Sequence, residues 1–524
     1  MLSFAWQLFL PVLLIFSICQ PSYHANILFY LYSQFDSHKL SAYPLAEALQ
    51  KRGHNVTLYQ LALVPSKPLS SKIREEFGVV TSDSPFAWET FVYKNGTASK
   101  QNWLLFPTAL DSLAMWDAMA REFCQQFLKH KLPEFLDLVR RDWDLILVGS
   151  FFTDCGIATA VLAQKPYAIF HPCFVEHNFA ISRGFPLLTH TYPSIVGPEK
   201  GEWTVNQFDD RLGGLIDYWQ FSRMAIAVQY LYTRLFEKVV PDFSFDRYAQ
   251  KAKRLFVDYP KTFDWPKPDS IDFVHGGSQC KPDSKEPIAV EILRFLENNK
   301  FKAIVLLSFG SVISWKGAPK SVIYEFGEMF RNLSDYGFIF STTLNSPSLN
   351  IDNVLPLPWI KNQFALLKHK RIRMFISHGG TKSFKESICA GKPTLFVPFY
   401  NDQLRNAFAA KSWGFGEIVV KTRVSSEELV TKARRILTNC SYDKAVQRAK
   451  SIWLDQILRP LDVAVFWAEF LARRADSIPE RFTRNRPVEF HWLQYWCLDV
   501  IAVIAVVPGI ITGVFLWKKL FASN

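Results

Sequence analysis

Two glycines between an apolar strand and a polar helix constrain this chain more than any other feature. Residues 374–403 run from Met374 to Ser377 into His378-Gly379-Gly380. They continue through Thr381-Lys382-Ser383-Phe384-Lys385-Glu386 into a second apolar segment, which ends at Asn401-Asp402-Gln403. The run Met374–Ser377 predicts a buried parallel strand, and the polar run predicts a helix from near Thr381. Glycine lets backbone approach a ligand closely, and a helix N-terminus offers unpaired N–H groups and a positive dipole end to phosphate. Ligands of open α/β sheets bind at the carboxyl ends of strands. His378 and Ser383 therefore belong at the mouth of an anion site. Glu386 lies three residues beyond Ser383 on the same helix face, where its carboxylate suits two vicinal hydroxyls. Asp402 and Gln403 follow the next strand and share that sheet edge.

The same grammar recurs along the chain. A strand over Asn26–Tyr32, a loop over Ser33–His38, a helix over Ser41–Arg52 closed by Gly53 and a strand over His54–Gln60 make a βαβ unit. Leu145–Val148 and Pro166–His171 read as further strands, and Ala303–Ser308 runs into Phe309-Gly310-Ser311. A chain of 524 residues is too long for one core. Pro, Gly, Ser and Asp accumulate between Asp264 and Glu286, so a linker is drawn at 271–290 between an N-terminal Rossmann-like domain, 25–270, and a C-terminal one, 291–455. Residues 456–494 form C-terminal helices and a juxtamembrane segment.

The two ends suggest where the chain resides. Residues 4–18 are an apolar run of signal-peptide length, in a segment 1–24 that lacks a basic start. Val500–Trp517 carries no charge and at about 1.5 Å per residue spans roughly 27 Å, enough for a hydrocarbon core. A transmembrane helix is expected over 495–517. Trp492, Tyr495 and Trp496 flank one side, and Lys518-Lys519 open a cytosolic tail, 518–524. Sequons at Asn55, Asn95, Asn332 and Asn439 fit a lumenal chain. Apart from Cys19 and Cys497, six cysteines show no metal-ligand spacing, and their pairing is unreadable. A net charge of +12 would suit nucleic acid, but a lumenal setting and the absence of a basic tract interleaved with aromatics exclude that partner.

The 374–403 stretch, together with Gly276-Gly277 and Cys280, Ser308–Ser311, Leu461–Phe470 and Leu498–Ile501, resembles the UDP-glycosyltransferases over essentially the whole chain. The last two segments are similar to the membrane-bound animal UDP-glucuronosyltransferase branch. The resemblance implies an α/β, GT-B architecture: two Rossmann-like domains, an interdomain cleft and a single-pass type I anchor in the endoplasmic reticulum membrane. It implies inverting transfer of glucuronic acid, or of glucose, from a UDP-sugar co-substrate to a small lipophilic acceptor, with no cofactor and no metal. Homo- or hetero-oligomers are compatible with it.

The family's base is a histidine in the first β–α loop, which here is His38. The family's orienting aspartate corresponds to Gly149, so Asp154 or Ser150 substitutes or the dyad is broken. Ser311, His378, Gly379, Gly380 and Ser383 are implied for diphosphate, Glu386 for ribose, Trp359 and Gln363 for the nucleoside, and Asp402 and Gln403 for the sugar. The Trp359–Gln363 loop is one residue longer than the family pattern and lacks its proline. Lys382 replaces a residue that is usually small or Asn. Trp88, Trp103, Trp116, Phe151 and Phe152 are aromatic enough to line an acceptor pocket. Gly149, the altered loop and Lys382 leave an alternative: a donor-binding, catalytically weak paralogue acting as a membrane partner of active relatives.

Overall fold

The computed structural model describes residues 23–32, 36–62, 72–80, 103, 109–151, 153–185, 188–193, 201–266, 268–280, 287–311, 313–344, 351–477, 479, 494 and 497–521. The N-terminal apolar run, Asn95, Trp88, Phe152 and the aromatic group Trp492, Tyr495 and Trp496 lie outside the described residues, as does the side chain of Trp116.

Thirteen strands form two sheets among the described residues. The first comprises β1 (Asn26–Tyr32), β2 (Asn55–Ala62), β3 (Arg74–Val79), β4 (Leu145–Gly149), β5 (Tyr167–His171), β6 (Leu255–Val257) and β7 (Phe273–His275). Their order is β3-β2-β1-β4-β5-β6-β7. The second comprises β8 (Ala303–Ser308), β9 (Tyr336–Ser341), β10 (Val354–Leu357), β11 (Ile372–Ser377), β12 (Thr394–Phe396) and β13 (Gly416–Ile418), in the order β10-β9-β8-β11-β12-β13. Every pairing is parallel. Parallel strands need crossover helices, which cover both sheet faces. That is why β4 and β8 read as unbroken apolar runs and are buried throughout. β7 joins the first sheet, so that unit runs to His275, inside the stretch read as linker.

Strand order reverses between β1 and β4 in the first sheet and between β8 and β11 in the second. Such switch points open crevices beyond the strands' carboxyl ends.

Among the described residues, the segments that cross between the units include Trp103 and a C-terminal helix. Trp103 is buried in the second unit's core, with its ring centroid 4.7 Å from Phe399 and 5.0 Å from Trp315 and its Nε1 donating to the Ser314 carbonyl at 3.0 Å. It therefore does not line an acceptor pocket, because it packs into the opposite unit. The helix Pro460–Arg474 returns to the first unit, where Ala464, Val465 and Ala468 enter its core. Glu469 on that helix takes two hydrogen bonds from Arg52, at 2.5 and 3.0 Å, and lies 3.0 Å from His54 Nε2.

Disulfides join Cys124 to Cys155 within the first unit and Cys280 to Cys389 between the linker and the second. A C-terminal helix, Leu498–Phe521, contains an apolar window, Leu498–Phe515, long enough to cross a bilayer and not buried among the described residues.

Candidate functional site

The helix that carries His38 begins at Asp36 and runs to Lys51 through Pro44. Sequence reasoning left His38 in a loop; it stands in the first turn of this helix, just past the end of β1. Its ring centroid is 5.5 Å from that of Phe151, which follows β4 across the switch point. Burial, reinforced by the Lys382 ammonium, pushes the imidazole pKa down to about 3, so the ring is neutral near pH 7.

Gly149 ends β4, in the position expected of an orienting carboxylate. A Cβ there would meet Thr153 Cγ2 at 3.3 Å, Leu31 Cδ2 at 3.5 Å and the Tyr30 carbonyl oxygen at 3.5 Å. Asp154 begins the next helix, buried, and its Oδ1 accepts from Tyr232 Oη at 3.0 Å while Oδ2 has no hydrogen-bond partner. Burial raises its pKa to about 7, partly offset by the Tyr232 hydrogen bond and by Arg121. The carboxylate offered as a substitute orienter is thus turned to Tyr232.

On the facing unit, Ser308 pairs with Ser377 across β8 and β11, which sets the two glycine turns side by side. Gly310 has φ +70° and Gly379 φ +89°, conformations that favour glycine. The His378 ring fits between two Cβ-free positions. A Cβ on Gly310 would meet its Cε1 at 2.9 Å, and one on Gly380 would meet its Nε2 at 2.7 Å. Burial lowers the His378 pKa to about 4. Ser311 is exposed at the turn, and Ser383 is buried in the first turn of the helix Thr381–Ala390, expected to face the donor and called the donor helix below.

Glu386 and Gln363 meet each other: Gln363 Nε2 donates to Glu386 Oε2 at 2.8 Å. The lengthened loop has a local explanation. Asn362 caps the helix Gln363–Lys368, its side chain accepting from Ala365 N at 3.2 Å. Trp359 is 59% exposed.

Asp402 and Gln403 work inside the protein. Asp402 Oδ2 accepts from Thr381 N at 2.7 Å, Thr381 Oγ1 at 2.5 Å and Asn406 Nδ2 at 3.0 Å. Gln403 Oε1 accepts from Phe399 N at 2.8 Å and Tyr400 N at 3.2 Å. Both residues brace the loop facing the donor helix. Asn401 beside them has φ +58° and a buried Oδ1 with no hydrogen-bond partner.

Sequence reasoning missed a charge cluster joining the units. Asp258, just past β6, is 1% exposed and takes Lys382 Nζ at 2.5 Å and Lys385 Nζ at 2.7 Å. The lysines hold its carboxyl below the usual range despite burial. Lys382 points neither to solvent nor solely toward donor: it bridges the donor helix to the first unit. No spacing signal links Asp258 to residues more than a hundred positions away.

A cavity of about 150 Å³ lies beside Phe151, walled by Phe174, Phe221 and Tyr232 from the first unit and by Asn401 from the second. Its lining is apolar except for groups that include Asp117, Arg121, Glu176 and Asn178. Of the aromatic residues expected in an acceptor pocket, two have described side chains: Phe151 lines the cavity and Trp103 does not. Asn55, Asn332 and Asn439 are exposed, though each side chain is engaged, with Asn26, the Glu328 carbonyl and Ser441 N respectively. Among the described residues no three His, Cys, Asp or Glu side chains converge as a metal-binding group.

Two Rossmann-like units whose switch points share one cleft define the GT-B class of glycosyltransferase. The family model described as "UDP-glucoronosyl and UDP-glucosyl transferase" matches residues 29–524, and the chain belongs to that family. Rabbit (Oryctolagus cuniculus) UDP-glucuronosyltransferase 1A6 is 26% identical over 516 residues, covering 94% of this chain and 92% of the relative. Human (Homo sapiens) UDP-glucuronosyltransferase 2B7 is 24% identical, covering 90% and 88%. Among solved structures, Medicago truncatula UGT71G1 complexed with UDP-glucose has a TM-score of 0.58 at 16% identity, covering 86% of this chain and 99% of its own. The kitacinnamycin glycosyltransferase has the same score, identity and coverages.

Proposed function

We propose that the chain transfers a glucuronosyl group, with glucosyl as the second choice, from a UDP-sugar to a small lipophilic acceptor held in the cavity beside Phe151. The observation that carries this reading is the position of His38. It lies against Phe151, which lines the cavity, and within electrostatic reach of Lys382, which stands on the donor helix. A base between acceptor and donor is what an in-line displacement needs. The neutral imidazole takes the acceptor's O–H proton, and the oxygen attacks the anomeric carbon. The bond from that carbon to the diphosphate oxygen breaks, and its electron pair leaves with UDP, inverting the centre.

Departing charge is met by the helix start at Gly379–Thr381 and by Ser383 and Ser311. Glu386 with Gln363 suits the ribose hydroxyls, and the exposed Trp359 ring suits the uracil face. Asp402 and Gln403 act on the sugar through any edge left by their internal bonds. Glucuronate is preferred because the relatives quoted above are UDP-glucuronosyltransferases. Two disulfides and the lysines beyond the apolar helix support a lumenal chain anchored in the endoplasmic reticulum membrane.

One set of observations favours the second reading, a weak donor-binding paralogue: Gly149 lacks the carboxylate and Asp154 bonds to Tyr232. The deciding experiment measures acceptor-dependent UDP release from membranes containing the chain, with UDP-glucuronate and UDP-glucose, for wild type and His38→Ala. Release abolished in the variant while UDP binding persists supports the transferase. UDP binding with no release across a broad acceptor panel supports the paralogue.

A further inference from the structure

The cavity beside Phe151 carries more polar chemistry than the removal of one proton needs. Phe221 and Tyr232 reach its wall from the helix Phe208–Phe236, and His177 stacks on Phe221 with ring centroids 4.0 Å apart. The space, about 150 Å³, matches a void that holds a benzene ring, so it has room for one aromatic ring.

Three oxygens on this lining accept hydrogen bonds and cannot donate them: Glu176 Oε1, Asn178 Oδ1 and Asn401 Oδ1. All three are buried with no hydrogen-bond partner, and Asn178 as a whole is only 8% exposed. Glu176 and Asn178 follow β5, the strand beside β4, and Asn401 comes from the second unit. The other charges at the cavity are matched. Arg121 pairs with Asp117, which also accepts from Tyr232 Oη at 3.3 Å. Arg405 lies 5.7 Å over the Phe174 ring but donates to Asp264 at 2.6 Å. Glu176 Oε1 faces His171 Nδ1 at 3.5 Å without a hydrogen bond. Asp154, bonded to Tyr232, adds a further oxygen with no partner, Oδ2. The lining is therefore short of donors and leans acidic, and buried acceptors left unpaired are costly.

We propose that the acceptor is a single-ring phenol carrying a protonated amine on a short side arm. The ring fills the space between Phe151, Phe174 and Phe221. The ammonium group donates to Glu176 Oε1 and Asn178 Oδ1, and the aromatic faces add cation–π attraction. The phenol oxygen meets His38 beside Phe151. A phenol bearing a carboxylate is disfavoured, since it sets like charges together at Glu176 and leaves the three oxygens unpaired. This ligand class rests on the acceptor reading above, but binding tests it apart from transfer.

The test compares tyramine, para-ethylphenol and para-hydroxyphenylacetate, which share one ring and differ in charge. Each is titrated calorimetrically into the full chain in detergent, saturated with UDP, at neutral pH. Tyramine is expected to bind about tenfold tighter than para-ethylphenol, the effect of one charge-assisted hydrogen bond, and the carboxylate more weakly than either. Glu176→Gln is expected to erase the amine's advantage, and Asn178→Asp to widen it, with UDP affinity reporting that each variant is folded. Equal affinities for tyramine and para-ethylphenol in wild type, or a preference for the carboxylate, overturn the proposal without recourse to any variant. An advantage that survives Glu176→Gln in protein that still binds UDP overturns it too. Turnover separates the two readings. Tyramine bound tightly with no UDP release keeps the ligand class and sinks the transferase, whereas UDP release with para-ethylphenol at equal affinity does the reverse.

Discussion

In the proposed reaction single residues carry the chemistry, and His38 is the one whose environment is most informative. Burial first and Lys382 second depress its pKa to about 3. The ring therefore stays neutral well below the ordinary histidine value of about 6.5, and kcat/KM should lack an acid limb near that value. Removing the repelling cation in Lys382→Gln raises the His38 pKa, so the limb moves to higher pH while remaining below 6.5, since burial is the larger cause. A pH–rate profile checks this, and a limb at 6.5 unmoved by the substitution would rule it out. The same shift bears on stability. As pH falls below about 6.5 the unfolded chain takes up a proton that the folded chain refuses until about 3, so stability drops across that window. Gly149 is the second telling residue. Its surroundings admit a Cβ with a small shift of Thr153, and Asp154 is turned to Tyr232. Gly149→Asp should therefore raise kcat at least tenfold, since losing an orienting carboxylate costs up to about 10⁴ in a comparable dyad. Unchanged kcat would mean that another group already orients His38.

At the scale of elements, the donor helix owes its geometry to what lies before and behind it. Gly380 precedes it against His378, and Asp402 caps Thr381. Gly391 at φ +65° ends it, and the Cys280–Cys389 bond ties its last turn to the linker. A methyl group at Gly380 would press on His378 Nε2 at 2.7 Å. Gly380→Ala is expected to weaken UDP binding by about tenfold, equivalent to roughly 1.4 kcal/mol, with folding intact. Titration calorimetry with UDP alone measures this without an acceptor, and unaltered affinity would remove His378 and Gly380 from the diphosphate site. The strand–glycine–helix pattern was legible in advance because it is local. The start of the His38 helix was not: Ser33–His38 read as loop and the helix from Ser41, yet it begins at Asp36 and its first turn carries buried Lys39 to Glu75 on β3.

For the whole molecule, the question is what holds two units in one cleft. Trp103 inserts from the first half of the chain into the second core, and Asp258 receives Lys382 and Lys385. Trp103→Ala removes a large buried ring and should destabilise the chain by about 3–5 kcal/mol. Chemical denaturation followed by intrinsic fluorescence would show it, and a loss below about 1 kcal/mol would mean that the inserted ring contributes little. The Asp258 cluster is a different kind of contact. It sets one buried carboxylate against two ammonium groups, on the path between His38 and the donor helix.

Sequence by itself determined the class of fold, the two-unit organisation and the strand–glycine–helix pattern of the strip proposed for the donor, because apolar runs, glycine turns and helix starts are properties of neighbouring residues. It also singled out His38 and the empty position at Gly149. Tertiary structure alone decided which distant groups meet. It turned Asp154 to Tyr232, engaged Asp402 and Gln403 in bracing the loop and drew Trp103 into the opposite core. It also set Asp258 against two lysines and left one face of the helix Phe208–Phe236 outward. These outcomes depend on burial and charge pairing between residues far apart in the chain, where no periodicity or spacing records the partner.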